Sequence, residues 1–286
     1  MRKLSSSFIQ DLKSGFLSAL MDQVHRDRDL DLEIRDNYLN IYFKGNSLLK
    51  LDEVRSGQYR VDIHPKLSGN AQFQDLVDEA SVQAFLAQIP RIKENIIRYG
   101  KSSLEIEYEQ MIIRANNYEP RNNSEYFIVD RQVVAGKAGR FDLTGFYWPR
   151  AGRRSNQVVP VCLFEVKFAL NQDIQEVHGQ LERYYQAIGE RSQEIAAAAQ
   201  TILRQKLELG LFNHSPEQLA ALSTLTLSPA LADYQLILIL VDYNPNSRLF
   251  DPTRLAELPF ANQIRVLRTG FAMWGSNLLP ANSPDA

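Results

Sequence analysis

The chain has almost no cysteine and few histidines. Among its 286 residues there are one cysteine, Cys162, and four histidines. One cysteine cannot form an intramolecular disulfide, and the scattered histidines do not have the spacing of a zinc site. These absences exclude a disulfide-stabilised domain and suit a reducing compartment, so a cytoplasmic location is expected.

Long apolar runs, a strong net charge and nucleotide-binding loops are missing as well. The longest purely aliphatic run, residues 236–241, is too short to span a membrane. The 32 basic and 34 acidic side chains leave a formal net charge of −2, so any contact with nucleic acid must depend on locally gathered positive charge. Without a P-loop or a Gly-x-Gly-x-x-Gly motif, the sequence predicts no ATP or dinucleotide site.

The periodicity of apolar residues divides the chain into two parts. Residues 4–26 have a helical period, and residues 30–66 alternate as strands around a hairpin turn at 44–47. Residues 65–72 are predicted to be a linker. The sequence thus predicts an N-terminal subdomain over 1–78, made of a helix and an antiparallel sheet, and a second domain over 79–286.

The second domain is predicted to be α/β. It begins with a helix over 80–99, which Pro90 should interrupt. From residue 102 the order is helix, three strands, helix and strand, which favours a mixed sheet flanked by helices. The three strands lie near residues 126–136, 140–149 and 158–168. A helix over 172–189, an alanine-rich helix to 209 and strands near 234–243 and 264–274 follow.

Three charged residues interrupt the predicted strands. Glu165 and Lys167 lie in the otherwise apolar run VVPVCLFEVKFALN, and their spacing puts both side chains on one face of the strand. Asp142 lies in the preceding strand, and a hairpin would bring it beside Glu165. Two neighbouring carboxylates repel each other unless a cation lies between them, and oxygen ligands suit Mg²⁺ or Mn²⁺. On the following helix, Gln180 and Tyr184 share a face.

This series of residues resembles the active-site signature of the PD-(D/E)XK nuclease superfamily, which has the restriction-endonuclease-like fold. The Gln-x-x-x-Tyr element is similar to that of the branch with RecB-type nucleases. The resemblance covers about residues 102–245. Phe141 stands where the family often has proline, which removes no ligand.

The resemblance implies a role for each matching residue. Asp142, Glu165 and the backbone carbonyl of Val166 would bind Mg²⁺ or Mn²⁺, and Lys167 would position or activate the attacking water. Gln180 and Tyr184 would hold the substrate strand or the lysine.

The family often adds a glutamate from the first core helix. Glu105, Glu107 and Glu109 compete for that role here, and Glu109 is preferred. On a helical wheel, Glu105 and Glu109 flank one edge of an apolar face and Glu107 flanks the other. The face consists of Leu104, Tyr108, Met111, Ile112 and Ala115. The alternative is that all three glutamates are solvated.

Basic residues cluster in the predicted β-hairpin. They would grip phosphates near a metal site, whereas the alternative is an ordinary solvated turn. Those in the turn and those just before Asp142 are Arg150, Arg153, Arg154, Lys137 and Arg140.

The sequence therefore predicts a magnesium-dependent phosphodiesterase that acts on nucleic acid, with DNA favoured over RNA and no membrane association. One alternative is a nuclease-fold module that binds nucleic acid or a protein without cutting. Another is a metal-independent protein in which the charges form a buried salt bridge. The N-terminal subdomain is expected to form the contact with a second copy of the chain, in a homodimer, or with a protein partner.

Overall fold

The computed structural model describes residues 2–69, 71–101, 104–134, 139–168 and 172–274. Its N-terminal part contains two short helices and an antiparallel sheet. The antiparallel sheet was predicted, and it has four strands in the order β1–β2–β3–β4. The elements are α1 (Ser6–Lys13), α2 (Ser18–Arg26), β1 (Leu30–Ile34), β2 (Tyr38–Phe43), β3 (Asn46–Arg55) and β4 (Gln58–Asp62).

The prediction of one helix over residues 4–26 is wrong. Helix α1 ends at Lys13, and α2 begins at Ser18. Between them the chain turns so tightly that a Cβ atom on Gly15 would lie 2.6 Å from Oδ1 of Asp11. The apolar period continues through this turn, which is why the pattern alone did not show the break.

The predicted linker is also wrong, because part of it forms a helix. Residues Pro65–Ser68 form α3, and Leu67 is buried in the core. Two helices follow, α4 (Glu79–Leu86) and α5 (Ile89–Tyr99). The interruption predicted near Pro90 is confirmed, since this proline lies in the first turn of α5.

The rest of the chain is an α/β unit built on a five-stranded mixed sheet with the order β11–β10–β8–β6–β5. Strand β6 is antiparallel to β5 and β8, whereas β8, β10 and β11 are parallel. The predicted order of helix, three strands, helix and strand is confirmed. The elements are α6 (Leu104–Ile113), β5 (Tyr126–Val134), β6 (Arg140–Tyr147), β7 (Val158–Val159), β8 (Val161–Phe168), α7 (Val177–Glu208), α8 (Pro216–Leu222), β9 (Thr226–Leu227), β10 (Gln235–Val241), α9 (Pro252–Ala256) and β11 (Ile264–Thr269).

Both faces of the mixed sheet are covered, so its central strands are apolar on both sides. Ile113 of α6 packs with Phe164 of β8 on one face. Leu181 of α7 belongs to the cluster on the other face, which also holds Leu163 of β8. Since side chains alternate along a strand, Glu165 shares the α7 face with Leu163.

The alanine-rich stretch continues the helix that follows β8. Helix α7 has one residue with non-helical dihedral angles, Arg191, with φ −133° and ψ 15°. The two helices predicted here therefore meet near residue 190. None of the helices within the described ranges is both long and apolar enough to cross a bilayer.

One hydrophobic cluster joins the N-terminal sheet to the α/β unit, with members from Leu4 to Ile264. A group of charges, here called the junction cluster, lies where β1 meets β5. Arg2 and Arg35 both bind Asp130, at 2.7 Å and 2.6 Å. Its members are Arg2, Asp31, Glu33, Arg35, Glu109, Asp130, Arg131 and Lys206; all except Arg2 are buried. The domain boundary at residue 78 stays a prediction.

The junction cluster also ties the N-terminal sheet to α6 and α7. Arg131 contacts Glu109 at 2.7 Å and Asp31 at 3.5 Å. Lys206 of α7 contacts Glu33 of β1 at 2.9 Å. These contacts connect residues that are far apart in the chain, and the side chain of Arg131 is fully buried.

Candidate active site

The candidate site begins where two strands of the mixed sheet separate. Strands β6 and β8 are paired from Phe146 opposite Val161 to Leu143 opposite Phe164, and the described register ends there. One step further, the Val166 N–H donates a hydrogen bond of 2.8 Å to Oδ2 of Asp142. A side-chain carboxylate thus replaces the backbone acceptor that a continued ladder would supply.

Asp142 and Glu165 lie next to each other at this separation, as the hairpin predicted. Burial raises the pKa of Asp142 to about 8, and the negative charge of Glu165 contributes to the rise. Burial also raises the pKa of Glu165, against the opposing attraction of Lys167. Both carboxylates are therefore costly to ionise unless a positive charge approaches them.

Lys167 supplies part of that positive charge. Its Nζ lies 2.6 Å from Oε1 of Glu165, and its side chain is 12% exposed. Burial alone would lower the pKa of Lys167, but the charge and hydrogen bond of Glu165 raise it above its ordinary value. The lysine is therefore a cation at neutral pH and suited to orienting water or offsetting negative charge, not to accepting a proton.

Helix α7 positions two further side chains at the site. Gln180 Nε2 donates to Oε1 of Glu165 at 2.7 Å and to the hydroxyl of Tyr184 at 2.6 Å. The Tyr184 hydroxyl donates to the backbone carbonyl of Arg140 at 2.8 Å. Phe141 packs edge-on against Tyr184, with 4.4 Å between the ring centroids. It stands where the PD-(D/E)XK superfamily, which the sequence resembles, often has proline.

The structure thus brings together all five predicted side chains of this group. We call Asp142, Glu165, Lys167, Gln180 and Tyr184 the acid–lysine cluster.

The acid–lysine cluster has a buried oxygen without a partner. Lys167 and Gln180 both contact Oε1 of Glu165, and Oε2 has no hydrogen-bond partner among the described residues. Leaving such an atom unpaired is unfavourable. The N–H and C=O of a strand residue lie on the same edge, so the Val166 carbonyl faces the separation that holds Asp142.

These donors fit a divalent cation that prefers oxygen. Asp142, Glu165 and the Val166 carbonyl are the groups that would hold it. Within the described ranges no three His, Cys, Asp or Glu side chains are gathered as a metal-binding group. Two carboxylates nevertheless match Mg²⁺, which retains several waters and binds substrate phosphates through its remaining positions.

Glu109 lies in the surroundings of this site but is bound to another residue. It is 3% exposed, and its Oε2 contacts Arg131, so the alternative of a solvated side chain is wrong. Its negative charge contributes to the raised pKa of Asp142. The predicted apolar face is confirmed only in part: Tyr108 and Ile112 pack against the sheet, whereas Leu104 and Met111 are 56% and 47% exposed. A role for Glu109 as a metal ligand stays a prediction.

The arginines of the hairpin turn do not lie beside the acidic pair. Asp142 is near the start of β6 and Trp148 follows its end, so at about 3.4 Å per residue the turn lies about 20 Å away. Arg153 donates hydrogen bonds to the carbonyls of Trp148 and Ser124 and to Oδ1 of Asn123. It therefore holds the turn in place.

The other basic residues differ in position. Arg150 and Arg154 are in the same distant turn as Arg153, so their predicted proximity to the metal site is wrong. Arg140 begins β6, two residues from Asp142, and is exposed. Lys137 lies outside the described residues.

Sequence reasoning missed the junction cluster. Asp130 and Arg131 interrupt the strand-like run YFIVDRQVV as conspicuously as Glu165 and Lys167 interrupt theirs. That signal could have indicated buried charges, although it names no partner.

Comparisons with known proteins give no relative: no family model matches the chain, and neither a curated protein nor a solved structure is significantly similar to it.

Proposed function

We propose that this protein is a metal-dependent nuclease with a restriction-endonuclease-like core, which hydrolyses phosphodiester bonds of nucleic acid. The observation that carries the proposal is the convergence of Asp142, Glu165 and Lys167 where β6 and β8 separate, with Oε2 of Glu165 unpaired. DNA is the favoured substrate and RNA the second.

The arrangement of elements supports the same proposal. From α6 to β10 the chain follows the order that the resemblance implies, and the acidic residues lie on its second and third long strands. Gln180 and Tyr184 come from the next helix and reach back to the site, as a Gln-x-x-x-Tyr motif requires.

Each residue then has a chemical task. When bound, Mg²⁺ or Mn²⁺ would supply Lewis-acid polarisation and offset charge on the phosphoryl oxygens. Lys167, as a cation, would orient the attacking water and stabilise the developing negative charge. Gln180 fixes Oε1 of Glu165, while Oε2 has no partner among the described residues and would be available to the cation; Tyr184 holds Gln180 in place.

The alternative is a module that binds nucleic acid or a protein without cutting. Its supporting observation is the direct contact of 2.6 Å between Lys167 and Glu165, which a purely structural ion pair would also show. A homodimer or a protein partner bound through the N-terminal sheet also stays a prediction.

A cleavage assay distinguishes these functions. Circular and linear DNA, single- and double-stranded, and RNA would be incubated with Mg²⁺, Mn²⁺ or EDTA. We expect metal-dependent cutting that falls by about 10²-fold or more in Glu165→Gln and Lys167→Met, as for removal of a charge-stabilising group. Arg150→Ala, in the distant turn, is the matched control and should cut like the wild type.

Either of two results would overturn the nuclease proposal. One is cutting that persists in EDTA or in both site variants. The other is a wild-type protein that folds but cuts none of the substrates, which would leave the binding module as the better account.

A further inference from the structure

A small pocket lies between the start of α7 and the segment that leads into α9. Its volume is ≈ 210 Å³.

 The residues that line it include Val177, His178, Arg248, Phe250, Asp251 and Arg254.

Two arginines give the pocket its charge. Arg248 and Arg254 are exposed, and neither guanidinium has a hydrogen bond or ion pair to another residue in the described part of the chain. Asp251 is the acidic residue of the lining, and its Oδ1 accepts from the N–H and the hydroxyl of Thr253, at 3.0 Å and 2.6 Å. Asp251 thus caps α9, and its charge attracts Arg254 without forming an ion pair with either arginine in the described part of the chain.

The position of the pocket connects it to the acid–lysine cluster. His178 precedes Gln180 by two positions, a rise of about 3 Å along the helix, and Gln180 contacts Glu165. Strand β10 runs parallel to β8 with Leu240 opposite Lys167, so the segment that carries Arg248 starts close to the lysine. The carboxyl ends of parallel strands are where open α/β sheets bind ligands.

We propose that this pocket binds a backbone phosphate of the nucleic acid, held by Arg248 and Arg254, next to the phosphodiester that is cut. The proposal rests on the proposed function. A pocket of ≈ 210 Å³ is smaller than the sites that enclose whole small molecules, about 300–1,000 Å³. It suits a single phosphate, whose oxygens match the planar fork of arginine.

Binding, measured apart from cutting, tests the proposal. Fluorescently labelled DNA would be titrated with Glu165→Gln protein in Mg²⁺, with and without the pair Arg248→Ala and Arg254→Ala. We expect the pair to weaken binding about 10-fold or more at low salt and to reduce the slope of log K against log salt by about two, one for each lost phosphate contact. In the otherwise wild-type protein the same pair should raise KM more than it lowers kcat.

The matched control is the pair Arg150→Ala and Arg154→Ala in the distant turn, which removes the same charge. If both pairs weaken DNA binding equally, or if the Arg248 and Arg254 pair has no effect on binding, the proposed phosphate pocket is wrong. The nuclease proposal would be unaffected. A wild-type protein that binds DNA through these arginines but never cuts would keep the pocket and reject the nuclease. A protein that neither binds nor cuts would reject both.

Discussion

The junction cluster and the acid–lysine cluster are both groups of buried charges, but they differ in balance. In the junction cluster four carboxylates meet four cations, and Asp130 contacts two of them. In the acid–lysine cluster two carboxylates share one cation, Lys167. Counted with every group ionised, the junction cluster is neutral, whereas the acid–lysine cluster has one negative charge in excess, which the raised pKa of Asp142 reflects.

This difference separates a structural cluster from a candidate binding site better than unpaired atoms do. Asp31, Glu33 and Arg131 of the junction cluster also have buried atoms without a partner, so that property alone is not diagnostic. Of the two clusters, the acid–lysine cluster has more carboxylates than cations, and it lies where two strands separate. A bound cation would balance the charge there, whereas the junction cluster already contains as many cations as carboxylates.

The largest change in stability should come from a variant that disrupts the junction cluster. Arg131→Met leaves Asp31 and Glu109 without their shared partner, and we expect the free energy of unfolding in urea to fall by about 3–5 kcal/mol. Arg150→Met, on the exposed turn, should change it by about 0.5 kcal/mol or less. A loss at Arg131 as small as that of the control would show that the junction cluster does not hold the sheets together.

A variant of the acid–lysine cluster should instead gain stability, by a smaller amount. Asp142→Asn removes one of two repelling carboxylates, so in EDTA the variant should be about 1–3 kcal/mol more stable than the wild type.

Mg²⁺ should remove most or all of that difference in stability. At about 100 times its dissociation constant it would stabilise the wild type by about 2.7 kcal/mol but not Asp142→Asn. Thermal unfolding with and without the ion measures both effects. A wild-type protein that does not respond to Mg²⁺ or Mn²⁺ would argue against a metal at Asp142.

The raised pKa of Glu33 in the junction cluster should be visible in the pH dependence of stability. Burial raises its pKa from 4.5 to about 7, so between these values the native state binds more protons than the unfolded chain. The free energy of unfolding should therefore fall as pH rises through this range.

The variant Glu33→Gln lacks this loss, so its stability relative to the wild type should improve by about 2 kcal/mol between pH 5 and 7.5. Denaturation at a series of pH values would check it, and an improvement in the opposite direction would contradict the raised pKa. The charged or titratable groups that face Glu33 are Asp31, Arg35, Tyr118, Asp130, Arg131 and Lys206.

The smallest effect should come from the distant turn, outside both clusters. Arg153→Lys loses hydrogen bonds to Trp148 and Asn123 and should lower stability by about 1 kcal/mol. Arg154→Ala should change it less. Neither should alter the rate of cleavage, and a rate loss in either would bring the turn into the active site.

Local patterns predicted the acid–lysine cluster because each of its features is short-range. The strand period of 2 puts Glu165 and Lys167 on one face of β8. The helix period of 3.6 puts Gln180 and Tyr184 on one face of α7. Asp142 and Glu165 meet because β6 and β8 are paired, and Gln180 and Tyr184 reach them because α7 follows directly. The order of elements followed from the same periods.

The junction cluster could not be predicted in this way, because its contacts join distant parts of the chain. Asp31 and Glu33 alternate with apolar residues in β1, a pattern typical of a solvent-exposed face, yet every residue of β1 is buried. Only the docking of β1 beside β5 turns that face inward. The error at Glu109 is of the same kind, since Arg131 reaches it from β5.

The separation between the hairpin turn and the acid–lysine cluster has a practical consequence. Ala151 and Gly152 are exposed, and nothing lies within 4 Å of a Cβ placed on Gly152. A fluorescent protein or an affinity tag inserted between them would project from the turn at the opposite end of β6 from Asp142. Such a fusion offers a way to follow substrate engagement by energy transfer without altering the groups that would perform the chemistry.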